Sequence, residues 1–151
     1  MKIGEERIDN ILNIISKKLE SVNYAFIGSV NMYIQGLKVN PRDIDILTTP
    51  EDIKKIDKIF SKYRTKEIYY DKSEKKDSFR SFYVIDNKEI EVLGNVNNIC
   101  RSLKSLDKKI YLKFNGIKLP CISLIDEMSA YKKMGHEKKV KMIKNFLQTS
   151  K

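Results

Sequence analysis

Residues 25–47 read AFIGSVNMYIQGLKVNPRDIDIL. An apolar run stops at Gly28 and Ser29, and a second one, beyond Pro41, carries two aspartates, Asp43 and Asp45. The first run, YAFI (24–27), has the length and composition of a short buried strand. Ser29 is predicted to cap a following helix in which Val30, Tyr33, Ile34 and Leu37 share one face, ending near Gly36. In DIDILTT (43–49), Ile44, Ile46 and Thr48 alternate with Asp43, Asp45 and Leu47, which is the period of a strand. Both aspartates then project from one face and repel each other when ionised. A hard cation between them, Mg²⁺ being the usual choice, removes that cost, although solvated acids on an exposed strand edge would give the same pattern.

The flanking chain extends a mixed pattern. Ile8, Ile11, Leu12, Ile15 and Leu19 recur at helical spacing, predicting an amphipathic helix over 5–20. TPED (49–52) starts another helix, with Thr49 as N-cap, Pro50 at the first turn and Asp52 as capping-box partner ahead of Ile53, Ile56, Ile59 and Phe60. KEIYYD (66–71) reads as a strand and DKSEKKDS (71–78) as a mobile, solvated loop. Asp86-Asn87 and Asn115-Gly116 sit between apolar runs and predict two hairpins, the first over 79–93, while 97–107 is ambiguous. Ser123 caps a helix to about Met134 with Asp126 in the capping-box position, Gly135 breaks it, and a last helix buries Val140, Ile143 and Leu147. The expected class is α/β in the α+β sense: a largely antiparallel or mixed sheet with helices packed on it and a C-terminal helical pair.

With 151 residues, 41% of them hydrophobic and 33% charged, one folded domain over 1–151 is expected, with a core region at about 22–95 and a C-terminal hairpin and helices at about 108–149. No apolar stretch spans a bilayer and the N-terminus turns charged too early for a signal peptide, so a cytoplasmic location without membrane partners is expected. Cys100 and Cys121 lack the spacing of a zinc site, and a lone His136 argues against a histidine-rich metal centre. The formal charge of +10 attracts polyanions, nucleotides and nucleic acids included, without choosing among them.

Gly28 and Ser29 at a strand-to-helix turn offer backbone N–H groups and a hydroxyl suited to phosphate oxygens, or simply a tight turn that needs a small residue. KEIEVLG (88–94) supplies further acids: Glu89 and Glu91 share one strand face, opposite Ile90 and Val92, so either could stand beside the aspartates if the two strands are neighbours.

FIGS (26–29), RDIDIL (42–47) and IEVLG (90–94) resemble, in order and spacing, the motifs of the DNA polymerase beta-like nucleotidyltransferase superfamily, and more closely its minimal stand-alone members. The resemblance spans residues 24–93 well and the rest loosely. It implies a mixed-sheet nucleotidyltransferase fold and transfer of a nucleoside monophosphate from an NTP, ATP included, to a hydroxyl of a protein, RNA or small molecule. By the same resemblance Asp43 and Asp45 would bind two Mg²⁺ ions, Gly28 and Ser29 would hold the β and γ phosphates, and Glu91, with Glu89 as substitute, would be the third acid, where aspartate is commoner. Arg42 is a candidate phosphate contact, or the partner of a structural acid. Related chains end in a helix with a lysine followed by Gly-Arg-x-Lys-Asp. Here Tyr131 stands near the lysine position and His136 at the arginine, leaving Lys132 and Lys133 as substitutes or as a solvated face.

Two other functions fit the same residues. The family includes nucleotidyltransferase-fold antitoxins, so a cognate toxin is one possible partner. A basic RNA-binding domain would instead use Tyr69, Tyr70, Phe79, Phe82 and Tyr83 to stack bases, unless they are core.

Overall fold

A computed structural model describes residues 3–72, 76–98 and 100–149. Helix α1 (Ile3–Lys18) leads into β1 (Tyr24–Ile27), α2 (Gly28–Ile34), β2 (Ile44–Thr48) and α3 (Asp52–Ile59). After a short 3-10 turn come β3 (Arg64–Asp71), β4 (Lys76–Ile85), β5 (Lys88–Asn98), α4 (Lys104–Asp107), the hairpin β6 (Ile110–Phe114) and β7 (Ile117–Cys121), then α5 (Leu124–Met134) and α6 (Glu137–Thr149). One sheet of seven strands runs in the order β3-β4-β5-β2-β1-β7-β6. It is mixed: β2 pairs β5 and β1 pairs β7 in parallel, and the other neighbours are antiparallel.

The sheet buries both faces near its centre. On one, α1 places Ile8, Ile11, Leu12, Ile15 and Leu19 against Phe26, Ile44, Ile46, Ile90 and Val92, with Ile53, Ile56 and Phe60 of the α3 region completing the core. Each such side chain contributes about 1.5–3 kcal/mol on leaving water. On the other face a smaller cluster joins Ala25, Ile27 and Leu47 to Leu106 of α4 and Ile122. A third cluster, Met32, Leu37, Leu124, Tyr131 and Ile143, fastens α2 to the α5–α6 pair. Cys100 and Cys121 are free, buried thiols.

Both hairpin turns lie where the asparagine dipeptides put them, with positive φ at Asp86, Asn87, Asn115 and Gly116. Thr49 Oγ1 accepts from the Asp52 N–H at 3.0 Å, and Ser123 caps α5 by accepting from the Asp126 N–H at 3.1 Å. The two capping-box acids do not reciprocate. Asp52 accepts instead from the Asn23 N–H at 2.8 Å, and Asp126 pairs with Lys108 at 3.3 Å.

Three local expectations change, and one open stretch is resolved. Ser29 is not an N-cap, because Gly28 at φ 74 turns the chain so sharply that α2 already starts there, with Ile27 as its cap. Asp43 is not in β2: the last residue of β1, Ile27, pairs with Asp45, so β1 offers no partner further back, and Arg42 and Asp43 form an exposed bend. Residues 76–78, read as loop, begin β4, whereas 73–75 of that segment lie outside the described residues. The ambiguous 97–107 contains the end of β5 and the short helix α4.

Candidate active site

Two strands far apart in sequence meet in the middle of the sheet, and their register decides which acids face each other. Parallel pairing of β2 with β5 sets Asp45 directly beside Glu91. The ladder between these strands starts at Ile44 and Ile90, so Glu89 lies beyond it, exposed. Of the two glutamates, Glu91 is therefore the neighbour of Asp45.

A cavity of about 210 Å³ opens beside this pair. Gly28, Ser29, Asp45 and Glu91 line it, brought together from the start of α2, from β2 and from β5. Burial and the Glu91 carboxylate push Asp45 up to about 7; Asp43 and Glu127 add to this and Arg101 opposes it. Asp43 itself stands exposed in the preceding bend, outside the cavity lining.

Gly28 is where the turn and the site meet. A Cβ there would lie 2.9 Å from Asp45 Oδ2, and φ 74 is strained for any other residue. Its N–H is not available to a phosphate, because it donates to Glu127 Oε1 at 2.7 Å. Expectation and structure differ here: Gly28 shapes the site by leaving space, and Ser29 is the member of the pair that can offer a hydrogen bond.

The remaining lining combines the cations Arg80, Arg101 and Lys139 and the aromatic Tyr131 with apolar Ile27, Leu93 and Met134, a set that no local sequence pattern brings together. Arg80 Nη1 pairs with Glu91 Oε1 and its Nε with Asp71 Oδ2, each at 3.0 Å. Arg101, 7% exposed, pairs with the fully buried Glu127. Asn31 donates to Glu127 Oε1 and to the Ile122 carbonyl, each at 2.9 Å, and Gln35 Nε2 donates to Asn31 Oδ1 at 2.7 Å. This buried network fixes the floor of the site to α5.

Tyr131, 4% exposed, lines the cavity between two cations, with Lys139 Nζ 4.9 Å and Arg101 5.7 Å from its ring centre. Burial first, then Glu127, raises its hydroxyl well above the ordinary tyrosine range. That hydroxyl is sequestered, interacting weakly with Ser29 and making no hydrogen bond of good geometry among the described residues. Lys132 is exposed and lines a separate groove between α5 and α6, so the lysine facing the cavity is Lys139. Arg42 is also outside the lining; its carbonyl accepts from Lys88 at 3.3 Å.

Glu127 did carry a sequence signal. It falls in register with Leu124, Ala130 and Tyr131, all buried, so an acid occupies the apolar stripe of α5. Arg80 alternates with Phe82 and Val84 on the side of β4 opposite the core residues Tyr83 and Ile85. Arg101 had no pattern to reveal it.

Comparison with solved structures gives this architecture a context. A candidate nucleotidyltransferase from Thermotoga maritima superimposes with a TM-score of 0.80 at 29% identity, over 98% of this chain and 96% of that one. ANT(2″)-Ia, solved in complex with adenylyl-2″-tobramycin, gives 0.51 at 12% identity over 94% and 99% of the two chains, a likeness of fold alone. No protein-family model and no curated protein matches the chain. The fold is that of the nucleotidyltransferases, as the motif resemblance implies. Among the described residues no helix is long and apolar enough to cross a membrane.

Proposed function

We propose that this chain transfers a nucleoside monophosphate from an NTP to an acceptor hydroxyl with the help of Mg²⁺. The observation that carries the reading is the side-by-side placement of Asp45 and Glu91 next to the Gly28-Ser29 turn. Two adjacent, partly buried carboxylates are costly while both are ionised: burial first, then the Glu91 charge, raises Asp45, and a divalent cation relieves the repulsion.

Mg²⁺ is commonly held by one or two carboxylates and completed by water and substrate phosphates. Among the described residues no three acid, histidine or cysteine side chains are gathered into a metal site. Asp45 and Glu91 supply two such carboxylates, a donor set that fits an ion arriving with its nucleotide. Asp45 and Glu91 would hold it, with Asp43 reaching from the bend if a second ion binds. Bound there, the metal would acidify the acceptor hydroxyl and neutralise charge on the departing pyrophosphate.

The chain's own groups do the rest. Ser29 hydrogen-bonds phosphate oxygens, while Arg101 and Lys139 balance the triphosphate charge. Arg80 holds Glu91 in place at 3.0 Å. Glu91 accepts the hydroxyl proton as the acceptor oxygen bonds to the α phosphorus, and the bond to the β phosphate breaks with its electron pair leaving on pyrophosphate. Isothermal titration of ATP with and without Mg²⁺ tests this. Binding should require Mg²⁺ and be lost in Asp45→Asn; undiminished binding by that folded variant would overturn the assignment.

One observation favours a second reading, a non-catalytic partner such as an antitoxin: the Arg80 guanidinium pairs with Glu91 at 3.0 Å and neutralises its charge. On that reading, the chain would bind a cognate toxin tightly and no label would pass from NTP to any acceptor.

A further inference from the structure

A continuous row of paired residues crosses the sheet at the level of the acids. Ile27 pairs with Asp45, Asp45 with Glu91, Glu91 with Phe82, and Phe82 with Lys66. Glu91 and, on β4, Arg80 line the cavity. One strand spacing from Glu91, at about 4.8 Å, the same face continues onto Phe82 and then β3. A register irregularity between Lys66 and Tyr69 turns both toward this face. There the Tyr69 and Phe82 rings lie nearly parallel, 11° apart with centres separated by 6.3 Å, and Lys66 Nζ hovers 4.3 Å and 5.8 Å from the two ring centres.

These aromatics are not part of the main core. Tyr83, next to Phe82, is fully buried, and Phe79 packs against the same core, so alternate residues of β4 serve opposite faces. Tyr69 and Phe82 are only half-buried and Lys66 is exposed. Parallel half-covered rings next to a cation, on a chain of charge +10, suit a flat, anion-bearing ligand: a base stacks on the rings and its phosphate meets the lysine. In-line displacement requires the acceptor to approach from the side away from the leaving pyrophosphate; this platform adjoins Glu91 through Phe82 and Arg80 through Tyr69, on strands β3 and β4 and not on the helices α5 and α6 that carry Tyr131 and Lys139.

We propose that Lys66, Tyr69 and Phe82 form the acceptor seat, and that it takes the terminal nucleotide of a single-stranded nucleic acid, presenting a sugar hydroxyl to Glu91. The inference rests on the nucleotidyl-transfer reading and supplies its acceptor class. The hydroxyl oxygen gains the α phosphorus, its proton passes to Glu91, and pyrophosphate departs from the NTP.

The test measures the affinity of a short mixed-sequence single-stranded RNA, and of DNA of the same sequence, by fluorescence anisotropy with the dye at the end away from the free terminal hydroxyl. Phe82→Leu keeps an apolar side chain but removes the stack, and it should weaken binding by roughly 5- to 150-fold, as does loss of one stacked base. Tyr69→Leu should act likewise. Tyr70→Leu, an exposed ring on the opposite face of the sheet against Phe79, serves as the control and should bind as the native chain does. Thermal unfolding of each variant separates lost folding from lost stacking. Native affinity in folded Phe82→Leu and Tyr69→Leu, or equal binding of the fully paired duplex, would overturn the acceptor seat. Mg²⁺-dependent ATP binding by the native chain, measured in parallel, separates that outcome from failure of the nucleotidyl-transfer reading itself.

Discussion

Replacing Glu127 by alanine should unsettle the fold and the site together. The carboxylate is fully buried and receives the Gly28 N–H at 2.7 Å, the Asn31 amide at 2.9 Å and the Arg101 guanidinium. In Glu127→Ala the Asn31 amide keeps its bond to the Ile122 carbonyl, so its loss is small. The Gly28 N–H is stranded, and Arg101, 7% exposed, becomes a nearly buried charge without this partner. Breaking a buried pair from one side costs about 3–5 kcal/mol, a large share of a total stability of about 5–15 kcal/mol. Glu127→Gln retains an acceptor for Gly28 and Asn31 and should cost less, about 1–3 kcal/mol. The double variant Glu127→Met with Arg101→Met removes both charges and should be more stable than Glu127→Ala alone. Urea denaturation of the variants, compared by midpoint at constant slope, reads these differences. A Glu127→Ala midpoint within about 1 kcal/mol of the native chain would refute the assignment of Glu127 as the post that holds Gly28 and Arg101.

The raised Asp45 gives a pH dependence with a definite sign. Its folded pKa, about 7, exceeds its unfolded value near 3.8, so the folded state holds the proton more tightly and stability falls as pH rises between those values. The span corresponds to at most about 4 kcal/mol, and Asp45→Asn should flatten this part of the metal-free stability–pH curve; an unchanged slope would contradict the buried pair. Gly28→Ala should cost about 1–2 kcal/mol for its positive φ and push aside the Asp45 carboxylate, 2.9 Å from the new methyl, weakening Mg²⁺-dependent ATP binding more than its lost stability accounts for. Gly94→Ala, by contrast, would set a methyl 2.9 Å from Ile53 Cγ2 and should destabilise by about 1–3 kcal/mol through overpacking, with ATP affinity retained in the folded fraction.

Local chemistry explains what the sequence revealed. The strand, Gly-Ser turn and helix of residues 24–34, and the turns at Asp86-Asn87 and Asn115-Gly116, follow from preferences carried by a few neighbouring residues. The choice between Glu89 and Glu91 could not be made locally, since alternation gives both the same face and only the β2–β5 register puts Glu91 opposite Asp45. Arg80, Arg101 and Lys139 reach the cavity from β4, the stretch before α4, and α6, a convergence that tertiary packing alone creates. Lys132, by its position in the α5 motif either a substitute phosphate ligand or part of a solvated face, is exposed, and the turn at Gly135 brings α6 back so that Lys139 faces the cavity. Asp43 shows the limit of periodicity: the pattern continued the strand backward, but β1 had already ended at Ile27.

Label transfer tests the central claim most directly. The purified chain is incubated with Mg²⁺ and ATP labelled at the α phosphorus, with RNA and protein fractions of a lysate supplied in turn as acceptors. Covalent label should appear on one fraction only when Mg²⁺ is present, pyrophosphate should be released in equal amount, and both should vanish in Asp45→Asn and in Glu91→Gln. Transfer that persists in those folded variants would contradict the assignment of the paired acids as the reacting site.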